Sequence, residues 1–206
     1  MMKAGITVTR PNATDILKVG DIFNLEWTTP CTGLADMGSV KIEFRKSDAV
    51  SWSTVATVAF NSSPYTLWAP PNDSFTANVQ SAKVKITDDD NTEVLDESDS
   101  FEIEGKIELL VPNTSGILWQ VTSTPQVQWR PTGDYSFIEI HYSKDNFNLD
   151  TQFLKSVANV ASGTIGTTTV TVPDDISKTV RVRVKDKDDP DVKAISGYDL
   201  NIVGSL

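Results

Sequence analysis

Val84-Lys85-Ile86-Thr87-Asp88-Asp89-Asp90, followed by Ser100-Phe101-Glu102-Ile103, is echoed about a hundred positions later by Val182-Arg183-Val184-Lys185-Asp186-Lys187-Asp188 and Leu200-Asn201-Ile202. Each copy alternates apolar with polar or charged side chains, breaks into an acidic turn, and then resumes alternating. Successive side chains of an extended chain project to opposite faces, so this period of two reads as a strand with one buried and one solvated face. A strand, an acidic turn and a closing strand written twice at this spacing make a repeat the size of a domain, larger than the roughly 20–50 residues of solenoid units.

The match extends toward the N-terminus of each copy. Pro11-Asn12 aligns with Pro112-Asn113, Ile16-Leu17 with Ile117-Leu118, Trp27 with Trp129, and Val40-Lys41-Ile42-Glu43-Phe44 with Ile138-Glu139-Ile140-His141-Tyr142. The 206 residues therefore divide into two domains, 1–104 and 105–206, joined at Glu104-Gly105-Lys106. So short a join predicts two modules set end to end in a semi-rigid rod.

Strand-like alternation, cut by Gly, Pro, Asn, Asp and Ser clusters, gives about seven strands per half, the texture of a sandwich. In the first half they are expected at 6–9, 22–27, 40–44, 54–59, 65–68, 82–87 and 100–103. In the second they are expected at 107–111, 125–129, 137–142, 153–158, 167–172, 179–185 and 198–203. Apolar residues almost never recur at helical spacing, so the fold class is all-β. Trp27 and Trp129 each end the second strand of their half, which marks them as core anchors because indole buries a large area.

Charge and cysteine use bound the role. The chain carries 28 acidic against 18 basic residues, net −10, which disfavours nucleic acid and anionic membrane surfaces as partners. The single cysteine, Cys31, permits no intradomain disulfide, and it reads as an inert thiol. No stretch reaches the roughly 18 apolar residues of a membrane-spanning helix. The start and stop at strand-like sequence predict modules cut from a longer polypeptide whose export signal lies elsewhere, with a small complete protein as the alternative.

The order of these motifs is similar to a known family. An Ile-x-Val/Leu-x-x-Pro opening leads to a polar loop and a strand ending in Trp. Val/Ile-x-Ile-x-Phe/Tyr, an Ala69-Pro70 or Val172-Pro173 step, Val-x-Ile/Val-x-Asp and a closing Phe/Leu-x-Ile follow. Twice over, this resembles the immunoglobulin-like modules of large bacterial and fungal surface proteins, S-layer and adhesin-like proteins among them. The Ser/Thr-rich domain at the front of yeast cell-wall biogenesis proteins belongs to the same group. The resemblance implies two tandem immunoglobulin-like β-sandwiches and transfers no catalytic residue. The second copy departs where Trp119-Gln120 replaces the turn-forming Gly20-Asp21, so its opening loop is expected to differ.

The residues offer little chemistry. His141 is the only histidine, and alternation sets it opposite Ile138, Ile140 and Tyr142, on an exposed sheet face. There is no nucleophile elbow, phosphate-cradling loop or His-rich metal motif, and the carboxylates cluster in turns rather than across a cleft. The chain reads as a non-enzyme without cofactor. The acidic turns are the one metal candidate: Asp88, Asp90, Asp186 and Asp188 occupy equivalent places and would offer calcium several oxygens. The alternative is that they are ordinary solvated turns, since Asp and Asn bond their own backbone. Asn12, Asn61, Asn72 and Asn113 each sit in an Asn-x-Ser/Thr acceptor pattern.

Three functional readings follow. The first is a structural and adhesive module of a larger cell-surface or S-layer protein, extracellular, whose partners are other domains of the parent protein or neighbouring surface molecules. The second is a virion decoration or filament component. The third is a carbohydrate-binding module, in which Trp52, Trp68 and Trp119, lying in or beside loop-like sequence, would stack on glycans. Pro11, Pro112, Pro125 and many charged residues guard the sheet edges, which predicts a monomer in isolation.

Overall fold

The computed structural model describes residues 5–29, 38–71 and 79–204. Cys31 and the Asn72-Asp73-Ser74 acceptor lie outside them. The chain divides into two compact units, Met1–Glu104 and Gly105–Leu206, and all regular structure among the described residues is β-strand.

The first unit runs β1 (Thr7–Arg10), β2 (Ile16–Lys18), β3 (Phe23–Thr28), β4 (Ser39–Arg45), β5 (Ser53–Ala59), β6 (Tyr65–Trp68), β7 (Val79–Asp88), β8 (Leu95–Glu97) and β9 (Phe101–Glu104). The second runs β10 (Lys106–Val111), β11 (Leu118–Gln120), β12 (Gln126–Thr132), β13 (Phe137–Ser143), β14 (Gln152–Ala158), β15 (Gly166–Thr169), β16 (Ser177–Asp186), β17 (Lys193–Ile195) and β18 (Leu200–Val203). The first unit has a three-stranded sheet, β1-β3-β6, and a larger one ordered β2-β9-β7-β4-β5, with β8 also paired to β7. The second repeats this as β10-β12-β15 and β11-β18-β16-β13-β14, with β17 on β16. Each unit is an immunoglobulin-like β-sandwich.

Alternation places the core. Val40, Ile42 and Phe44 of β4 and Val84 and Ile86 of β7 point inward, as do Leu25 and Trp27 of β3, and all are buried. Ile138, Ile140, Tyr142, Val182, Val184, Val127 and Trp129 repeat the arrangement in the second unit. Each indole nitrogen is satisfied where it is buried. Trp27 Nε1 donates to the Phe60 carbonyl at 3.0 Å, and Trp129 Nε1 donates to Asn159 Oδ1 at 2.9 Å.

To the strands read from alternation the structure adds two short ones per unit, β2 and β8, β11 and β17. β2 and β11 run parallel to β9 and β18, with Leu17 opposite Ile103 and Trp119 opposite Ile202. This pairing shifts the alignment of the two openings by one residue from that of the sequence, and it overturns the expectation of a different loop. Trp119 takes the buried place of Leu17, and Thr122 stands where Gly20 stands in the first unit, both exposed. The Gly20 amide bonds the Pro70 carbonyl at 3.0 Å and the Thr122 amide bonds that of Val172 at 2.9 Å. Both residues are left-handed, at φ 76° and φ 68°. The loop is kept, at the cost of a β-branched residue in a region that favours glycine.

Candidate functional site

The acidic turns follow β7 and β16. Asp88 pairs with Val40 and Asp186 with Ile138 at the ends of those strands, and both carboxylates are buried. Asp88 Oδ1 accepts the Asp90 amide at 3.0 Å, and Asp186 Oδ1 accepts that of Asp188 at 3.3 Å. Farther along the second turn, Asp189 Oδ1 accepts the Asp191 amide at 2.9 Å. The inner aspartates therefore close their own turns, while Asp90 and Asp188 are exposed. Burial pushes the Asp186 carboxyl above its ordinary value, and the neighbouring Asp188 and Asp189 charges add to the rise. Among the described residues no group of three or more His, Cys, Asp or Glu side chains is arranged to hold a metal ion.

A second repeated device lies where β8 passes into β9. The Ser98 amide donates to the Val84 carbonyl at 2.8 Å, and its hydroxyl accepts the Val84 amide at 3.0 Å. Ser196 does the same for Val182, at 2.8 and 3.2 Å. Both serines are buried, and each side chain stands in for a main-chain acceptor where the chain leaves β8 for β9 or β17 for β18.

The tryptophans proposed for sugar stacking are placed differently from the sequence expectation. Trp68, at the end of β6 as expected, and Trp119 are buried in the core rather than open to a glycan, and Trp68 packs on Phe44 with ring centroids 5.2 Å apart. Trp52 is half-buried under cations, with the Arg45 guanidinium 4.5 Å and Lys85 Nζ 4.6 Å from its ring centre. Of the acceptor asparagines, Asn61 is exposed, Asn12 Oδ1 receives the Thr14 amide and hydroxyl at 2.9 and 2.7 Å, and Asn113 Oδ1 holds the Gly197 amide at 2.7 Å.

The outer face of the larger sheet is where polar and aromatic side chains gather. In the first unit one cross-strand row reads Thr54, Glu43, Lys85, Glu97 across β5, β4, β7 and β8. Its charges are matched. Glu43 takes Lys41 and Lys85, each at 2.8 Å, while Glu97 takes Arg45 and Lys83, each at 3.6 Å. Burial opposes ionisation of Glu43, but the two lysine bonds outweigh it and hold the carboxyl below its ordinary value.

The equivalent row of the second unit reads Phe153, His141, Arg183, Ile195 across β14, β13, β16 and β17. His141 is on the outer face, as alternation requires, but it is not exposed: only 8% of it is accessible. The Phe153 ring covers it edge-on at 5.6 Å, and Nδ1 is buried with no hydrogen-bond partner among the described residues. Burial lowers its pKa, the Arg183 charge lowers it further, and the Glu139 carboxylate 3.7 Å away opposes both.

Arg183 is covered in turn by Phe147, 4.2 Å from its guanidinium to the ring centre. Phe147 is held there by a tight loop. Ser143 Oγ accepts the Phe147 amide at 2.8 Å, and Asp145 Oδ2 accepts the Leu149 and Asp150 amides at 2.8 and 3.1 Å. Asn146 and Phe147 are both left-handed, at φ 59° and φ 63°. Sequence reading missed this row because its members lie on four strands. Only the pairing register brings them together.

No known protein-family profile matches the chain, and no curated protein sequence matches it. Among solved structures it is similar to the fibronectin(III)-like modules of Clostridium thermocellum CbhA, at 14% identity and TM-score 0.32, over 97% of this chain and 94% of that one. It is similar also to three N-terminal domains of the bacteriophage RB49 highly immunogenic outer capsid protein, at 15% identity and TM-score 0.32, over 97% and 59%. A tetra-tandem repeat from the extending region of a large adhesion protein matches at 17% identity and TM-score 0.35, over 97% and 49%. Similarity at this level concerns architecture alone.

Proposed function

We propose that the chain is a non-enzymatic structural and adhesive tandem module of a larger extracellular protein of the cell-surface, S-layer or Ser/Thr-rich cell-wall kind. One observation carries the reading: the same polar devices are built twice, and in both units they serve the sandwich. Ser98 and Ser196 complete the ladder of β7 and β16, and Asp88 and Asp186 close the following turns. Duplicating a scaffold with its supports intact is what a spacer or display array needs, because each module must stand alone.

The sugar-stacking reading loses two of its three aromatics to the core. The test is immunogold labelling of intact, non-permeabilised source cells with antibodies raised against the purified chain. Gold on the outer surface is expected. Gold confined to sectioned cytoplasm, or to purified virions, would overturn the assignment.

A further inference from the structure

The row Phe153–His141–Arg183–Ile195 departs from its counterpart in the first unit, which reads Thr, Glu, Lys and Glu with matched charges. Arg183 breaks that rule. Its neighbours on β16 are paired, Arg181 with Asp199 and Lys185 with Glu139 at 2.9 Å, whereas Arg183 has no carboxylate at ion-pair distance among the described residues. This occurs in a chain where acids outnumber bases 28 to 18. The guanidinium is half-buried, its Nε has no hydrogen-bond partner among the described residues, and burial lowers its pKa against the opposing Glu139 charge.

Between the flanking ion pairs, the row and the loop above it expose apolar groups. Phe153 is 58% exposed, Ile195 38%, and Leu149, at the tip of the loop that carries Phe147, 97%. Hydrogen bonds from the Phe147, Leu149 and Asp150 amides to Ser143 Oγ and Asp145 Oδ2 fix that loop, so it is organised before anything binds. A half-buried arginine under Phe147 and beside Ile195, with Phe153 one strand farther along the row, has the composition of an interface hot spot.

We propose that this row is a docking surface for a partner protein presenting a carboxylate flanked by apolar side chains, the acid seated on Arg183 and the apolar groups on Phe153, Ile195 and Leu149. Charge complementarity selects the acid, since arginine offers a planar fork that fits carboxylate. A second copy of the chain is disfavoured as occupant, because two molecules of net −10 repel each other. The inference builds on the reading of a non-enzymatic module, and its failure would leave the spacer role and the surface labelling untouched.

The test is an array of short synthetic peptides, each with one Asp or Glu between apolar residues, matched with Asn or Gln isosteres and probed with the whole chain. Binding by acidic peptides only, weakened about thirtyfold or more by Arg183→Gln and by Phe153→Ser, is expected. Arg183→Lys should fall between, since it keeps the charge and loses the fork. Thermal melting of each variant controls for folding, with Phe153→Ser the safer because that ring is largely exposed. The proposal is overturned if no acidic peptide binds, if isosteres bind equally, or if Arg183→Gln leaves binding unchanged. It is also overturned if sedimentation shows a dimer that Arg183→Gln dissolves, because the occupant is then a second copy.

Discussion

Gly166 of β15 lies against the indole of Trp129: a β-carbon built onto it would stand 2.5 Å from Trp129 Cζ2 and 2.8 Å from Nε1. The two residues pair directly across β12 and β15. The ring cannot swing away, because it is 1% exposed and its nitrogen is tied to Asn159. Gly166→Ala should therefore destabilise the second unit by about 1–3 kcal/mol, the usual cost of overpacking a dense core. Thermal denaturation checks this, and an unchanged midpoint would mean that the strand yields.

Thr122 offers the opposite change. It holds φ 68° where its counterpart Gly20 holds φ 76°. A left-handed conformation costs an L-residue about 1–2 kcal/mol. Glycine would remove that cost while adding some disorder to the unfolded chain. Thr122→Gly should raise the stability of the second unit by about 0.5–1 kcal/mol, and Gly20→Thr should lower that of the first. Chemical denaturation of the two variants measures both signs.

Thr122 also shows what sequence reading reaches and where it stops. Long alternating runs such as Val40 to Phe44 and Val180 to Val184 announce themselves, because several side chains repeat the same inward choice. β2, β8, β11 and β17 have three residues each, too few to display a period, and they exist through pairing with a neighbour already in place. The one-residue shift at Trp119 was hidden because Leu118 and Trp119 are both apolar. Parallel pairing with β18 then decides which of them is buried. The exposed reading of His141 failed for a related reason: alternation gives its face correctly, but burial comes from Phe153 on another strand.

Burial of His141 makes acid stability specific to the second unit. Its folded pKa lies below the ordinary 6.5, so below that pH the unfolded chain takes up a proton that the folded chain refuses. Stability is full above 6.5 and declines as pH falls toward the folded value. Calorimetry should show the second unit's transition dropping over that window, and His141→Gln should flatten the drop. The first unit contains no histidine and is the internal control. A drop unaffected by the substitution would assign the effect to carboxylates.

Asp186 titrates with the reverse sign. Its folded pKa is raised above 3.8 by burial and by Asp188 and Asp189, so the second unit loses stability as pH rises through that value. At neutral pH the charge is a cost. Asp186→Asn keeps an acceptor for the Asp188 amide and removes the charge, so it should raise the melting temperature at pH 7, with the advantage vanishing in acid. Calcium against chelator should leave the wild-type melting temperature unchanged. A calcium-dependent rise that Asp186→Asn abolishes would show instead that the turn holds a cation.

The serine clasps test whether the two units fold independently. Removing the Ser98 hydroxyl strands the Val84 amide, and removing that of Ser196 strands the Val182 amide, both in buried surroundings. An orphaned buried donor costs about 1–3 kcal/mol. Each unit has its own tryptophan, its own paired sheets and its own clasp, so each loss should stay where it is made. Hydrogen exchange followed by residue should show Ser98→Ala loosening β3 to β9 and leaving β12 to β18 protected, and Ser196→Ala doing the converse. The double variant should add within about 0.5 kcal/mol, as distant independent sites do. If Ser98→Ala instead strips protection from Val127, Ile140 and Val184, the two sandwiches unfold as one cooperative body, and an array of self-standing modules is the wrong description of this chain.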